Sequence, residues 1–395
     1  MRDFIVAETE YRDRRFLAAA LYEDGKLSEL DIRPWEENSL VDRIYVGCLD
    51  RVVRNIGGAF VRFSGDEICF LPGWKSSMNA GHLLVQISRD AVDRKNPTAR
   101  ASLSVAGRLA VVKTGRGLAF SGKLTDEEKA LLRKWTEGLH FEDRQVLLRT
   151  NAAAATKAEV LEEVARLSAR WDRMLADAEK ATPGTCVYRP DPFYIEMLRD
   201  LRELPDRVFT DVPAVAARLM EEPALLGGER TEEELMVKNR SLTLAQLYSL
   251  PHDLDKLTNK VAWLPCGGYL VIERTEAFIS IDVNTGKCAR GRIPEENYRR
   301  INLEAAAEAL RQVRLRNLAG MVLIDFINLE NKDHQEELIS VTRKLARREL
   351  VPVEVVDLTP LGIMECVRKR GRAPLAEVLG GRTESTITDL QGESQ

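Results

Sequence analysis

The sequence predicts a multidomain α+β protein, and three observations carry that expectation. Short β-patterned segments fill the first third, capped amphipathic helices follow, and the last third holds a strand, helix, strand succession in which both strands run into an aspartate. At 395 residues the chain exceeds one small domain, so about two to four compact units are expected. Hydrophobic residues make up 44% and charged residues 30%, and no apolar run reaches the roughly 18 residues of a membrane span. With no charged-then-apolar leader, the expectation is a soluble cytoplasmic protein without a membrane segment. The 6 cysteines are scattered, without a Cys-x-x-Cys pair, so neither a disulfide framework nor an intrachain zinc site is expected. A net charge of -4 means that any nucleic-acid contact must come from local basic patches.

The elements follow in order. Residues 4–6, 15–22 and 27–32 read as short strands, the last two separated by the Glu23-Asp24-Gly25 turn, too few to make a domain alone. Segments 44–49, 59–63, 68–72, 83–87, 101–105 and 109–112, with Gly57-Gly58 and Ser64-Gly65 as turns, suggest a small barrel of the OB type over residues 35–122. Thr125 with Glu128 and Thr156 with Glu159 are capping boxes that open two helices, separated by a strand at 145–150. In the second helix Val160, Val164, Leu167, Trp171 and Met174 form an apolar stripe until Pro183-Gly184. Residues 186–257 mix strand and helix patterns and are expected to complete the sheet begun at the amino terminus. From residue 262 the strand-rich unit with the aspartates begins, and the last dozen residues read as a polar tail.

The segments Phe278-Ile279-Ser280-Ile281-Asp282 and Met321-Val322-Leu323-Ile324-Asp325 flank one amphipathic helix that begins near Asn302 and that Gly320 is placed to stop. A crossover of this kind makes the two strands parallel neighbours, so both carboxylates emerge at one carboxyl-terminal sheet edge. They share faces with Phe278, Ser280, Met321 and Leu323, which makes both aspartates look buried; unpaired, each would cost several kcal/mol. Paired carboxylates in a chain with 4 histidines suit a hard cation such as magnesium. Helix capping is the plain alternative. Arg311, Arg314 and Arg316 read as surface ion-pair residues of the helix.

At these residues the sequence resembles the ribonuclease E/G family. The resemblance rests on Phe278 to Asn284, the turn Thr285-Gly286-Lys287, Asn302-Leu303-Glu304-Ala305-Ala306, the Arg311 to Leu318 segment, and Val322-Leu323-Ile324-Asp325-Phe326-Ile327. It extends more weakly over most of residues 1–380. It implies a ribonuclease-H-like scaffold split between residues 1–34 and 186–257, with the OB-fold barrel (35–122) inserted in it. A helical segment (123–185) sensing RNA 5′ ends follows, then a DNase-I-like α/β catalytic domain (258–381) and a tail (382–395). It also implies a magnesium-dependent endoribonuclease, with manganese as an alternative metal, that cuts single-stranded RNA to a 5′-phosphate and a 3′-hydroxyl in RNA processing or decay. Asp282 and Asp325 become the metal ligands and Asn284 the residue that places the attacking water.

The same resemblance makes Phe60, Phe70, Lys95 and Lys287 RNA contacts, although Phe60 and Phe70 read equally well as core side chains of a small barrel. Arg149 and Thr150, with Gly117 lending backbone donors, match a pocket for a 5′-monophosphate. The chain departs from the pattern at Pro352, where a basic residue is usual, and at Asn328, where aspartate is common. It also lacks the cysteine pair and small domain that follow the catalytic domain in larger members, so the oligomeric state stays open, with a homo-oligomer without a zinc link among the alternatives. Arg368-Lys369-Arg370 with Arg372 is a basic cluster suited to a phosphate backbone. A non-catalytic RNA-binding relative and a phosphoesterase acting on small nucleotides are the rival readings.

Overall fold

A computed structural model of the chain describes residues 1–36, 39–75, 78, 83–91, 95–238, 241–286, 295–369 and 371–380. The chain divides into two compact units, Met1–Glu37 with Phe193–Gln395, and Asn38–Pro192. The fold is mixed α+β, with an OB-like barrel and several further sheets.

The first unit opens with an antiparallel meander of Arg2–Tyr11, Arg14–Glu23 and Lys26–Pro34, and the distant strand Arg207–Thr210 adds in parallel beside the first. Asp24 and Gly25 both take positive φ, the conformation of a tight hairpin turn that matches strand twist. Asp3 staples the parallel addition: Arg207 donates two hydrogen bonds of 2.7 Å to its carboxylate and the Tyr248 hydroxyl a third of 2.9 Å. The Arg207 bonds hold the Asp3 carboxyl below its ordinary range. Both faces of this sheet are covered. Ile5, Phe16 and Ala18 pack on Leu250 and Leu254, while Phe4, Val6 and Leu21 pack on Tyr194, Leu198 and Leu219. That double burial explains the unbroken apolar runs in these strands.

The second sheet of this unit is six-stranded, in the order Val261–Trp263, Tyr269–Arg274, Phe278–Asn284, Gly320–Asp325, Ile363–Arg368, Val353–Leu358. Only the two aspartate-bearing strands run parallel to each other. The helices Glu295–Leu315 and Lys332–Ala346 cover one face, where Ile279, Ile281, Val322 and Ile324 pack on Ala305, Ala309, Val313 and Leu338. The crossover helix stops at Leu315, before Gly320, because Asn317 turns into the left-handed region at φ 48° and the Leu318 amide bonds back to the Val313 carbonyl.

In the second unit Ile44–Val53, Gly58–Ser64, Glu67–Pro72, Thr98–Arg100 and Leu83–Arg89 close into a five-stranded barrel through the pairing of the first with the last. Tyr45, Val61, Phe63, Leu71 and Val85 fill it. The segments at 101–112 do not join it: Ser104–Ala106 and Ala110–Lys113 form a separate sheet with Gln145–Leu148 and Gly117–Phe120. Cys186–Tyr188 pairs with the barrel strand Ile44–Val53, so this stretch belongs to the second unit and not to the amino-terminal sheet. Both capping boxes form, opening Asp126–Trp135 and Lys157–Lys180.

Candidate active site

Asp282 and Asp325 are register partners on adjacent parallel strands, so their side chains leave the same sheet face about 4.8 Å apart at the backbone. Both are exposed, contrary to the buried aspect they have in sequence. The reason is that, among the described residues, helices cover only the opposite face, and Phe278, Ser280, Met321 and Leu323 lie on the open one, with Met321 half-exposed. Among the described residues neither carboxylate has an ion-pair partner. Asn284, two residues beyond Asp282, donates its Nδ2 to Asp282 Oδ2 at 2.8 Å. That fixes the amide and leaves its Oδ1 turned away from the carboxylate.

The backbone around the pair is held by contacts that only particular residues allow. A Cβ at Gly286, where φ is 54°, would come within 2.4 Å of the Gly267 carbonyl, and one at Gly268 within 2.8 Å of the Asn284 carbonyl. The turn after Asn284 thus lies directly on the 264–268 turn, and Glu304 accepts the Cys266 amide at 3.1 Å from the helix behind. Asn302, fully buried, clamps the chain leaving Asp325: it donates to the Ile327 carbonyl at 2.7 Å and accepts the Ile327 amide at 3.1 Å. A polar residue within an apolar helical stripe was the sequence signal for this role.

The remaining expected residues fall as follows. Phe60 and Phe70 are cross-strand partners with ring centroids 5.6 Å apart, each half-buried and outside the barrel core, and Arg51 stacks on Phe60 at 4.7 Å. Lys95 is exposed, two residues before Pro97, whose carbonyl accepts the Phe70 amide at 2.8 Å. Lys287 lies outside the described residues. Arg149 donates from Nη1 to the Gly107 carbonyl at 2.7 Å, and the Thr150 hydroxyl meets Ser121 Oγ at 3.1 Å. Gly117 does not join them. It pairs with Gln145 at the far end of the ladder, roughly 13 Å from Arg149 at 3.3 Å per residue, and its amide is taken by the Phe141 carbonyl.

Two basic groups are also reassigned. Arg314 and Arg316 are not surface residues: Arg314 bonds the Ser28 carbonyl and pairs with Glu29 and the buried Glu349, while Arg316 is buried on Gln312 and the Asn259 carbonyl. In the carboxyl-terminal cluster Arg368 is buried on Asn317 and the Leu318 carbonyl, which closes it to a phosphate backbone, while the half-exposed Arg372 pairs with Asp31; Arg370 lies outside the described residues.

Two neighbouring carboxylates with no ion-pair partner among the described residues, on an open face, make a donor set suited to a hard divalent ion and an anionic substrate. Among the described residues no group of three or more His, Cys, Asp or Glu could hold a metal. The Ribonuclease E/G family profile matches residues 104–371, and the chain belongs to that family. It is 26% identical over 383 residues to the Ribonuclease E of Synechocystis sp., covering 92% of this chain and 56% of that protein. It is 25% identical over 386 residues to the Ribonuclease G of Escherichia coli K12, covering 91% and 79%. The chain spans about half the length of the Ribonuclease E proteins of Synechocystis sp. and Nostoc sp., 56% of each. No helix among the described residues is long and apolar enough to cross a membrane.

Proposed function

We propose that this protein is a magnesium-dependent endoribonuclease that cuts single-stranded RNA by hydrolysis in the cytoplasm, leaving a 5′-phosphate and a 3′-hydroxyl. The observation that carries the reading is the direct register pairing of Asp282 with Asp325 on an uncovered sheet face. In this reading both carboxylates hold the cation, with manganese as an alternative. The cation supplies Lewis-acid polarisation of the phosphodiester and neutralises developing charge. Asn284, its Nδ2 engaged by Asp282, presents Oδ1 to accept a hydrogen bond from the attacking water. As the water oxygen bonds to phosphorus the bond to the 3′-oxygen breaks, and of the two water protons one ends on the 3′-oxygen and the other on the new 5′-phosphate, from which it passes to solvent. Asn302 keeps Asp325 in place by fixing Ile327.

Phe60, Phe70 and the stacked Arg51 suit bases of a single strand, each base worth about 1–3 kcal/mol. Arg149 and Thr150 remain the proposed contacts to a 5′-phosphate. The three-stranded meander with a parallel fourth strand supports a ribonuclease-H-like scaffold, and the helix-backed mixed sheet supports a DNase-I-like catalytic domain. The test is a 5′-labelled single-stranded RNA incubated with and without magnesium, beside the Asp282→Ala, Asp325→Ala double variant. Internal, magnesium-dependent cuts absent from the variant support the nuclease; binding without cuts in the wild type moves the chain to the RNA-binding alternative.

A further inference from the structure

Trp263 is 64% exposed on the outer strand of the six-stranded sheet, the most open aromatic side chain among the described residues. It is the register partner of Tyr269, which is in turn the register partner of Asn284, so all three side chains stand in one row on the open face. The next row holds Val261, Val271, Asp282 and Asp325. Two strand spacings across and two residues along put Trp263 roughly 12 Å from Asp282 at the backbone, one or two nucleotides of chain. The Trp263 and Tyr269 rings pack at 5.2 Å with a 54° tilt. Tyr269 itself lies on the Asn284 turn, since a Cβ at Gly286 would meet its Cδ1 at 3.3 Å. The indole is therefore propped on the same turn that positions Asn284, with its outer surface open to solvent.

We propose that Trp263, backed by Tyr269, is a stacking platform for a nucleobase of the RNA strand flanking the scissile phosphodiester. The proposal rests on the nuclease reading above and adds a specificity-determining residue to it. An exposed indole costs little to keep rigid, having two side-chain torsions, and offers the largest π-face available to a base. Its continuity with the carboxylate row selects the occupant: a strand held with a phosphate at Asp282 and Asp325 extends along this face in one direction or the other.

The experiment scans a single abasic nucleotide along a short single-stranded RNA that is cut at one position, using wild type, Trp263→Ala and Trp263→Phe. Binding is followed without magnesium and cleavage with it. The expected result is that Trp263→Ala weakens binding by roughly 5- to 150-fold, Trp263→Phe recovers most of the loss, and Trp263→Ala costs nothing further at one abasic position beside the cut. Thermal melting should be nearly unchanged, because the side chain is exposed. Equal binding and cleavage by wild type and Trp263→Ala at every position overturns the platform while leaving the nuclease standing. A loss of self-association without a loss of RNA affinity also overturns it, assigning the indole to contact with a second copy. If the wild type binds RNA but cuts nothing, the nuclease reading fails, and the abasic scan of binding still decides the platform.

Discussion

Two acidic clusters in the same unit make opposite use of their charge. On the open sheet face, Asp282 and Asp325 stand side by side with no cation among the described residues and only the Asn284 amide for company. Behind the helix, Glu29 and Glu349 are also neighbours, but Arg314 reaches both, with side chains at most one-fifth exposed throughout. In the second cluster Arg314 ties both carboxylates into the fold as buried or partly buried ion pairs. The first keeps two exposed carboxylates with no counter-charge among the described residues, which is why we propose it as the site. Acidic residues in proximity therefore say little until their counter-charges are counted.

The largest expected effect is on cleavage: Asp282→Asn or Asp325→Asn should lower the single-turnover rate on the order of a thousandfold with an unchanged melting temperature. Arg314→Met should do the reverse, costing about 3 kcal/mol in urea unfolding by stranding two partly or fully buried carboxylates, while RNA affinity stays near wild type. Asn302→Ala lies between the clusters in character. It should cost about 2 kcal/mol by orphaning buried backbone groups of Ile327, and it should also slow cleavage by loosening the chain behind Asp325.

A smaller effect is pH dependence. Burial pushes the Glu29 carboxyl up to about 7 against the pull of Arg314. The folded protein then binds more protons than the unfolded chain between the ordinary carboxylate range and pH 7, so Glu29 makes stability fall as pH rises across that window and level off above it. Urea midpoints measured from pH 5 to 8 should show a shallower slope in Glu29→Gln; an identical slope would detach the titration from this residue. Phe60→Ala in the barrel should weaken RNA binding by about 1–3 kcal/mol and leave the rate of bound substrate almost unaltered.

How much of this was legible in the sequence depends on the range of the contact. The pairing of Asp282 with Asp325 follows from a short crossover and its handedness, and the capping boxes are local by nature. Exposure of the aspartates was misread because Phe278, Met321 and Leu323 are apolar on a face that no helix covers, and the pattern of one strand cannot report that. Arg314 reads as surface because its partners Ser28 and Glu29 lie more than 280 residues away in sequence. The strands at 104–113 alternate like barrel strands, and only their pairing with Gln145–Leu148 assigns them elsewhere. Trp263 carried no signal at all, since an indole in a strand is ordinarily read as core.

The central claim is that one divalent cation, held by Asp282 and Asp325, touches the scissile phosphate. The direct measurement replaces a non-bridging oxygen of that phosphate with sulfur and compares cleavage in magnesium and manganese. The account predicts that one of the two diastereomers is cut slowly in magnesium and recovers in manganese, and that the recovery disappears in Asp325→Asn. Equal cleavage of both diastereomers in both metals, or recovery that persists without the Asp325 carboxylate, would contradict it.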